Sequence, residues 1–315
     1  MKRFLFPEEG RFFKANLHSH TTVSDGTLTP AEMKELYKAN GYSILACTDH
    51  EKMVPHHDLT DPDFLMITGF EMGFDERWHG DFLDARCCDI NLLALDPGMT
   101  EQPEHIREYN AACINDAIRL CREKGFFVTY NHPHWSQEHF GEYLGYAGMN
   151  AMEICNYSSL VDGYDEYNAD LYHNYLKRGD RLYVIGTDDN HNRRAPGTRM
   201  YDSFGAFTMI KAASLDYASV ARALLAGHFY ASQGPEIRSL WIEDGFLHVE
   251  CSPADRVIVT VPRRRCMSRY DEETGLISHA SFDMKKEDGW FRVTVIDKAG
   301  LKADTNAYYT DEVLE

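Results

Sequence analysis

The sequence predicts an α/β protein in which a large domain of alternating strands and helices is followed by a small domain of strands alone. Two observations predict this order. Up to about residue 230, short and nearly continuous apolar runs alternate with amphipathic segments, a pattern typical of strands buried on both faces. After Gly234-Pro235 the apolar residues alternate over short segments, and turns rather than long helices separate them. We therefore expect one domain over residues 1–234 and a second over residues 235–315.

Seven apolar runs predict the strands of the large domain. Because they read as buried on both faces and are separated by helical or loop segments, they favour a parallel sheet or a barrel with right-handed crossovers. The predicted strands are Phe12–His20, Tyr42–His50, Phe64–Glu71, Asp89–Asp96, Phe126–His132, Ala151–Asn156 and Leu182–Asp189.

Three helices are predicted in the same domain. The first begins at the capping box Thr29-Pro30-Ala31-Glu32 and runs to Asn40, where Gly41 ends it in a left-handed conformation. The other two cover Pro103–Lys124 and Ser214–Ala226, and a glycine follows each of them.

The second domain reads as a small antiparallel β-sandwich. Its alternating segments are separated by turn residues such as Glu243-Asp244-Gly245. The predicted strands are Ile237–Glu243, Phe246–Cys251, Val257–Val261, Ser278–Met284 and Trp290–Asp297. The run Arg263-Arg264-Arg265 falls in a predicted loop, where we interpret it as a solvated basic cluster.

Composition excludes several classes of protein. A hydrophobic share of 43% and an aromatic share of 12% argue against disorder. The net charge of −18 disfavours a surface that tracks long nucleic acids. We expect no signal peptide and no membrane span, because no apolar run has the length that either needs. The 8 cysteines form no Cys-x-x-Cys pair, so we expect reduced thiols and a cytoplasmic protein.

Side chains that bind metals recur where the predicted strands end. His18 and His20 close the first strand and point to the same face, and Asp25 follows in the next loop. The other such ends read Thr48-Asp49-His50, Gly69-Phe70-Glu71, Asn131-His132-Pro133-His134 and Asp188-Asp189-Asn190-His191. In α/β barrels the carboxyl ends of the strands converge at one rim. Imidazole and carboxylate groups gathered there are suitable ligands for a divalent metal such as zinc, manganese or iron.

Some of these residues have simpler explanations. Asp49 fits either the cap of a following helix or a partner of a metal ligand, and the sequence leaves both open. Four histidines fit ordinary surface positions as well: His56, His57, His79 and His134. Glu71 differs, because a carboxylate that ends a buried apolar run needs a cation or a strong partner. Asp189 and His191 repeat the spacing of His18 and His20, which favours metal ligands.

Taken together and in order, these motifs closely resemble the PHP (polymerase and histidinol phosphatase) family. The matching residues are Leu17-His18-Ser19-His20-Thr21, Ser24-Asp25-Gly26, Thr48-Asp49-His50, Gly69-x-Glu71, Asn131-His132-Pro133 and Asp189-x-His191. The resemblance implies a distorted seven-stranded (β/α)7 barrel, followed by a β-sandwich as in some two-domain members. It also implies a centre of two or three metal ions that serves phosphoester hydrolysis.

The resemblance further implies which residues hold the metals, and their mixture of imidazole and carboxylate groups suits Mn, Zn or Fe. One ion would be bound by His18, His20, Glu71 and Asp189. A second would share Glu71 and add His132. A third would be bound by Asp25, His50 and His191.

This chain departs from the family at one position. Where the family places a histidine at the start of the fourth strand, the sequence reads Cys88-Asp89-Ile90. Asp89 is a candidate replacement ligand, and His79 from the preceding loop is the alternative. The second metal site therefore depends on this position.

The leading functional hypothesis is metal-assisted hydrolysis of a phosphate monoester or a small nucleotide-like phosphate. Arg193 and Arg194 follow His191 closely, and their guanidinium groups match the geometry of phosphate. We take both as candidate substrate contacts, and His134 as a candidate proton donor to the leaving group. Trp135 is a candidate wall for a ring of the substrate.

Two alternatives stay open. The same metals could hydrolyse a carboxylic ester, carbamate or amide, although the related amidohydrolase barrel bridges its metals with a lysine and the predicted strand ends carry none. The chain could also be a non-catalytic, metal-stabilised binding protein whose small domain contacts partners. Under the leading hypothesis the partner is a small-molecule phosphate ester, with no long nucleic acid and no membrane.

Overall fold

The computed structural model describes residues 2–76, 85–265 and 267–314. Its strands are Arg3–Phe4 (β1), Arg11–Asn16 (β2), Ile44–Cys47 (β3), Leu65–Asp75 (β4), Cys87–Ala94 (β5), Phe126–Tyr130 (β6), Ala151–Asn156 (β7), Tyr183–Thr187 (β8), Phe207–Ala212 (β9), Phe229–Ser232 (β10), Ile237–Glu243 (β11), Phe246–Ala254 (β12), Arg256–Thr260 (β13), Ser268–Arg269 (β14), Ile277–Asp283 (β15), Trp290–Ile296 (β16), Lys302–Thr305 (β17) and Tyr308–Tyr309 (β18). Its α-helices are Pro30–Ala39 (α1), Ala111–Glu123 (α2), Phe140–Tyr143 (α3), Tyr157–Asp162 (α4), Ala169–Arg178 (α5), Tyr217–Ala226 (α6) and Thr310–Val313 (α7).

The seven predicted strands of the large domain are present as β2 to β8, and they are neighbours in one sheet in sequence order. β2, β3 and β4 are parallel, and so are β6, β7 and β8. The prediction of a parallel sheet is wrong for β5, which runs antiparallel to β4 and β6. The connection from Asp75 to Cys87 is shorter than the dozen or more residues that a parallel crossover needs, so the chain turns back on itself.

The first and last strands of this series meet at their carboxyl ends. The amide of Asp189 donates to the carbonyl of His18 at 2.9 Å, and the amide of His20 donates to the carbonyl of Asn190 at 3.0 Å. The motif that follows β2 and the motif that follows β8 are therefore held side by side by backbone hydrogen bonds.

The helix predictions are confirmed at α1 and need correction elsewhere. In α1 the Thr29 hydroxyl accepts from the amide of Glu32 while the Glu32 carboxylate accepts from the amide of Thr29, as the capping box requires. The helix predicted from Pro103 begins only at Ala111, because Asn110 caps it and the preceding residues run alongside β4. Helix α6 begins at Tyr217 after the cap Asp216, rather than at Ser214.

The C-terminal part consists of two sheets around a common apolar core. One sheet has the order β1-β11-β12-β15. The other runs β14-β13-β16-β17 and continues through β10 and β9 into β2, so it is hydrogen-bonded to the sheet of the large domain. Side chains of both sheets, including Leu247, Val249, Val257 and Val293, fill the core between them. The division of the chain at residue 234 stays a prediction.

Among the described residues, no helix is long and apolar enough to cross a membrane. The cysteines in this part of the chain are all free thiols, and Cys266 lies outside it.

Candidate metal centre

Residues from separate strands of the large domain converge at one edge of the sheet. His18 and His20 follow β2, His50 follows β3, and His132 follows β6. Asp189 and His191 follow β8, while Asp25 lies in the loop after β2. Glu71 is the exception, since β4 continues to Asp75 and places Glu71 in mid-strand rather than at the strand end. Three groups of these side chains lie close enough to hold a metal ion: His18-Glu71-His132, His18-His20-Asp189 and His20-Asp25-His50-His191.

The deepest group surrounds the carboxylate of Asp189. Its Oδ1 atom lies 3.1 Å from Nε2 of His18 and 2.9 Å from Nε2 of His20, and the two Nε2 atoms are 3.1 Å apart. All three residues are buried. Two imidazole nitrogens and one carboxylate oxygen that point at the same place form a ligand set suited to one divalent ion.

Glu71 stands between the groups. Its Oε1 atom lies 3.3 Å from Nε2 of His18 and 3.2 Å from Nε2 of His132. Its Oε2 atom lies 3.3 Å from Nε2 of His20 and 2.9 Å from Nδ1 of His50. Because the two oxygens face different histidines, this carboxylate has the geometry to bridge two ions.

The outer group surrounds Asp25, whose side chain is 41% exposed. The Oδ1 atom of Asp25 lies 3.4 Å from Nε2 of His191, 3.8 Å from Nδ1 of His20 and 3.8 Å from Nε2 of His50. The other oxygen, Oδ2, faces the Nη2 atom of Arg193. One oxygen of Asp25 thus faces the histidines, where it could bind an ion, and the other forms an ion pair with Arg193.

Unpaired polar atoms show that these residues fit a bound cation. His20 Nδ1, Glu71 Oε2 and Asp189 Oδ1 are buried and make no hydrogen bond of acceptable geometry. A buried polar group without a partner costs roughly 1–3 kcal/mol, and more when it is charged. Metal ions at the three groups would supply the missing partners.

The charges of the centre are strongly coupled. Burial disfavours the charged form of each group, but the carboxylates raise the pKa of His50 to about 9 and that of His132 to about 10. The neighbouring histidines hold the pKa values of Glu71 and Asp189 well below their usual range, again against burial. The carboxylates stay ionised and draw positive charge, which protons or metal ions can supply.

Two of these residues have unusual backbone conformations. His132 has a φ of 22° and Asp189 a φ of 52°, the left-handed region that non-glycine residues rarely adopt. Such strain persists only where the surroundings enforce it, and it concentrates at functional sites. The His132 ring faces Glu71, and the Asp189 carboxylate faces His18 and His20.

A supporting layer of buried residues orients the histidines, and the sequence analysis missed most of it. Glu153 on β7 accepts from the amide of His132 at 3.0 Å and lies 2.7 Å from Nδ1 of His18. Asn131 donates to Glu71 Oε1 at 2.9 Å. Glu153 carried the same signal as Glu71, a lone carboxylate in the buried apolar run Ala151–Asn156.

Asp49 belongs to this supporting layer and does not cap a helix. Its carboxylate accepts from the amides of Thr21 at 2.8 Å and Ser24 at 3.0 Å. Both amides belong to the loop that carries Asp25, so Asp49 shapes that loop.

Asp89 lies beside the centre but outside the three groups. It lines the same cavity, and its Oδ2 atom accepts from the Cys87 thiol at 3.5 Å. Burial and the nearby Glu71 carboxylate raise the pKa of Asp89 to about 6. Gly73 leaves room for it, because a Cβ there would lie 2.9 Å from Asp89 Oδ1. The alternative ligand His79 lies outside the described residues.

A cavity of about 930 Å³ opens over the centre. Arg193, Arg194 and Trp135 are among the residues that line it. His134 is exposed and is not among the residues that line it. The structure therefore brings both arginines and Trp135 to the cavity, while the side chain of His134 lies outside its lining.

Comparisons with known proteins give a limited match in sequence. No family model matches the chain. A 5'-3' exoribonuclease from Haemophilus influenzae is 29% identical over 112 residues, which are 33% of this chain. The match spans 39% of that curated relative, well under half of its length.

Among solved structures, the chain is similar to a two-domain protein from Bacteroides vulgatus that contains a predicted PHP-like metal-dependent phosphoesterase. The match covers 96% of this chain and 90% of that one at 16% identity, with a TM-score of 0.48. A putative metal-dependent phosphoesterase from Bifidobacterium adolescentis matches 63% of this chain and 94% of its own at 16% identity and a TM-score of 0.40. An amidohydrolase from Chromobacterium violaceum, with bound sulfate and no metal, matches 58% of this chain and 88% of its own at 16% identity and a TM-score of 0.39.

Proposed function

We propose that this chain is a metal-dependent hydrolase of the PHP type that cleaves phosphate esters of small molecules. The observation that supports this most is the sharing of ligands between donor groups. His18 belongs to two of the three groups, and so does His20. Ions bound there would therefore be neighbours, as in two-metal sites that act on phosphate esters.

The proposed ligands are those that the PHP resemblance implies, namely His18, His20, Asp25, His50, Glu71, His132, Asp189 and His191, with Asp89 as an additional candidate. Two or three ions of Mn, Zn or Fe would lower the pKa of a bound water and neutralise charge on the phosphoryl oxygens. Strands β2 to β8 would form the distorted seven-stranded barrel of the family, and the backbone contact between residues 18–20 and 189–190 supports this closure.

The protein's own residues would bind and orient the phosphate. Arg193 faces Asp25 with one nitrogen, and its side chain, which is 57% exposed, lines the cavity. The remaining N–H groups of Arg193, together with Arg194, can donate to non-bridging phosphate oxygens. Trp135 offers a wall for a ring of the substrate. His134 lies beside it in the chain but outside the cavity lining, and we keep it as the candidate proton donor to the leaving oxygen only from the sequence.

The net charge of the protein favours a small substrate. The net charge of −18 repels a long polyanion, whereas a single phosphate can approach ions held among the carboxylates. The curated relative is named as an exoribonuclease, so a nucleotide phosphate belongs among the substrates to be tested. We further propose a cytoplasmic location on the basis of the free thiols.

The test combines metal analysis with a substrate panel. Bound metals are quantified in the purified protein, and hydrolysis is measured for aryl phosphates, nucleotide phosphates, aryl esters and aryl amides. We expect phosphate hydrolysis that falls by at least about 100-fold in His18→Ala. His279→Ala, which changes an exposed histidine on β15, should behave like the wild type.

Equal phosphatase activity in the wild type and in His18→Ala would contradict the proposal. Cleavage of only the aryl esters or amides would instead favour the carboxyl-directed hydrolase. Stoichiometric metal without hydrolysis of any class would favour the metal-stabilised binding protein.

A further inference from the structure

Strand β17, near the C-terminus, contacts the segment 166–168 of the large domain through Tyr167. The Tyr167 hydroxyl donates to Oδ2 of Asp304 on β17. The other oxygen of Asp304 accepts from Arg292 Nη1 at 3.0 Å and from Thr294 Oγ1 at 2.6 Å. The ammonium group of Lys302 lies 3.7 Å from the centre of the Tyr167 ring. The C-terminal part of the chain therefore contacts Tyr167 both at its hydroxyl and at its ring.

The segment around Tyr167 is also built into β7. The amide of Asn168 donates to the carbonyl of Ile154 at 2.8 Å. Tyr167 forms an isolated antiparallel β-bridge with Cys155 of β7. β7 carries Glu153 and ends at Asn156, which donates to Oδ2 of Asp189 at 3.1 Å. Residues 166–168 thus lie between β17 and the strand that supports the metal ligands.

Glu166, the residue before Tyr167, holds the turn after β6. This buried carboxylate accepts from the amide of Trp135 at 2.9 Å and from the amide of His134 at 3.4 Å. The Asn168 side chain donates to the same carboxylate at 2.7 Å and keeps it aimed at the turn. The turn begins at His132, a proposed ligand, and contains Trp135, which lines the cavity.

We propose that Tyr167 is a positioning residue through which β17 fixes the turn 132–136 at the cavity. The contacts run from Asp304 to Tyr167, through the backbone to Glu166, and from its carboxylate to the amides of His134 and Trp135. The C-terminal strands thus help to build the substrate pocket, beyond any role as a separate binding module. This assignment rests on the proposed function only in treating the cavity as the substrate site.

Tyr167→Phe tests the link with little risk to the fold. Asp304 keeps its hydrogen bonds with Arg292 and Thr294 in this variant, so no buried charge is left alone. A matched control is Tyr309→Phe. Tyr309 also ties the C-terminal part to the large domain, but its hydroxyl donates to the carbonyl of Asp180 at 3.2 Å and not to Asp304.

The main readout is amide hydrogen exchange of the turn in the full-length protein, followed by mass spectrometry. We expect exchange at residues 134 and 135 to be about tenfold faster in Tyr167→Phe and unchanged in Tyr309→Phe. If the chain hydrolyses aryl phosphates, KM should rise about threefold in Tyr167→Phe with kcat little changed, because Trp135 contributes to binding. The exchange experiment needs no activity, so it decides this proposal even if the proposed function fails.

Equal exchange in the wild type and in Tyr167→Phe would overturn the assignment, and so would equally faster exchange in both variants. If Tyr167→Phe does not fold, Glu166→Gln tests the next contact along the same route. The amide group of glutamine can accept with only one oxygen, so exchange at one of the two amides should still rise, and protection at both would overturn the proposal.

Discussion

The Nδ1 atom of His18 lies 2.7 Å from Oε1 of Glu153, and both side chains are completely buried. This contact places the ring proton on Nδ1 and leaves Nε2 free to bind a metal. Glu153 also accepts from the amide of His132, so one carboxylate orients two proposed ligands. It occupies the place behind the centre that an outer carboxylate takes in many histidine-metal sites.

The first prediction follows from that contact. Glu153→Gln should weaken metal binding by about 10- to 100-fold while the protein still folds, because the ligands remain but lose their fixed orientation. Competition with a chelating dye measures the affinity. Glu250→Gln, on the exposed face of β12, is the matched control. Unchanged affinity in Glu153→Gln would mean that the carboxylate does not orient His18.

The second prediction concerns how many ions each ligand serves. His191 belongs to one donor group, whereas His18 belongs to two. His191→Ala should therefore remove one ion per chain, and His18→Ala should remove more than one. Elemental analysis after metal loading gives the stoichiometry, and identical losses in the two variants would contradict the shared-ligand arrangement.

The sequence predicted the ligands better than the layer behind them, for a physical reason. Histidines and carboxylates at strand ends stand out because each interrupts an apolar pattern at a place where strands converge. Glu153 interrupts its strand in the same way, but its neighbours in sequence gave no hint of His18, which is far away in the chain. Contacts of this kind depend on how the strands are arranged in space.

The direction of β5 shows another limit. Its apolar run is indistinguishable from that of a parallel strand, since burial on both faces leaves the same pattern in either direction. The predicted strand ends, Glu71 and Asp89, leave 17 residues between the two strands, and the connection is too short for a parallel crossover only because β4 extends to Asp75 and β5 begins at Cys87. Similarly, β1 joins the C-terminal sheet by pairing with β11. A strand of two residues is too short for the sequence pattern to predict this pairing.

The third prediction concerns Gly26, which follows the proposed ligand Asp25. A Cβ on Gly26 would lie 2.2 Å from the carbonyl oxygen of His20, so a larger residue forces the loop away from the centre. Gly26→Ala should weaken metal binding at the Asp25 group by at least about tenfold and leave the inner groups occupied. Isothermal titration calorimetry, in which metal is added to the metal-free protein, resolves the weaker site.

The control for that experiment is Gly234→Ala. A Cβ at Gly234 would lie 3.4 Å from Cδ1 of Leu301, which is an ordinary contact. This variant should bind metal like the wild type. Equal binding curves for Gly26→Ala and the wild type would show that the loop can move without displacing Asp25.

The fourth prediction concerns a buried carboxyl outside the metal groups. Glu138 accepts hydrogen bonds from the hydroxyls of Tyr109 at 3.0 Å, Tyr130 at 2.5 Å and Tyr146. Burial raises the pKa of Glu138 to about 8, although these hydrogen bonds oppose the rise. Glu138 follows the turn 132–136, and its amide donates to the carbonyl of Pro133 in that turn at 3.1 Å.

The sign of the pH effect follows from proton binding. Between pH 4.5 and about 8 the folded protein holds a proton on Glu138 that the unfolded chain has lost. The contribution to stability is complete below the unfolded pKa and disappears as the pH rises through the folded pKa. The free energy of unfolding should therefore fall with pH in this range, by up to about 1.4 kcal/mol per pH unit.

Glu138→Gln should remove this slope, because glutamine does not titrate. Urea unfolding of the metal-saturated wild type and variant, at intervals from pH 5 to pH 8, gives the difference between their free energies of unfolding. Other titrating groups largely cancel in that difference, and the exposed Glu123→Gln serves as the control. A difference that stays constant with pH would show that Glu138 is ionised throughout, which would mean that the three tyrosine hydroxyls outweigh the cost of burying its charge.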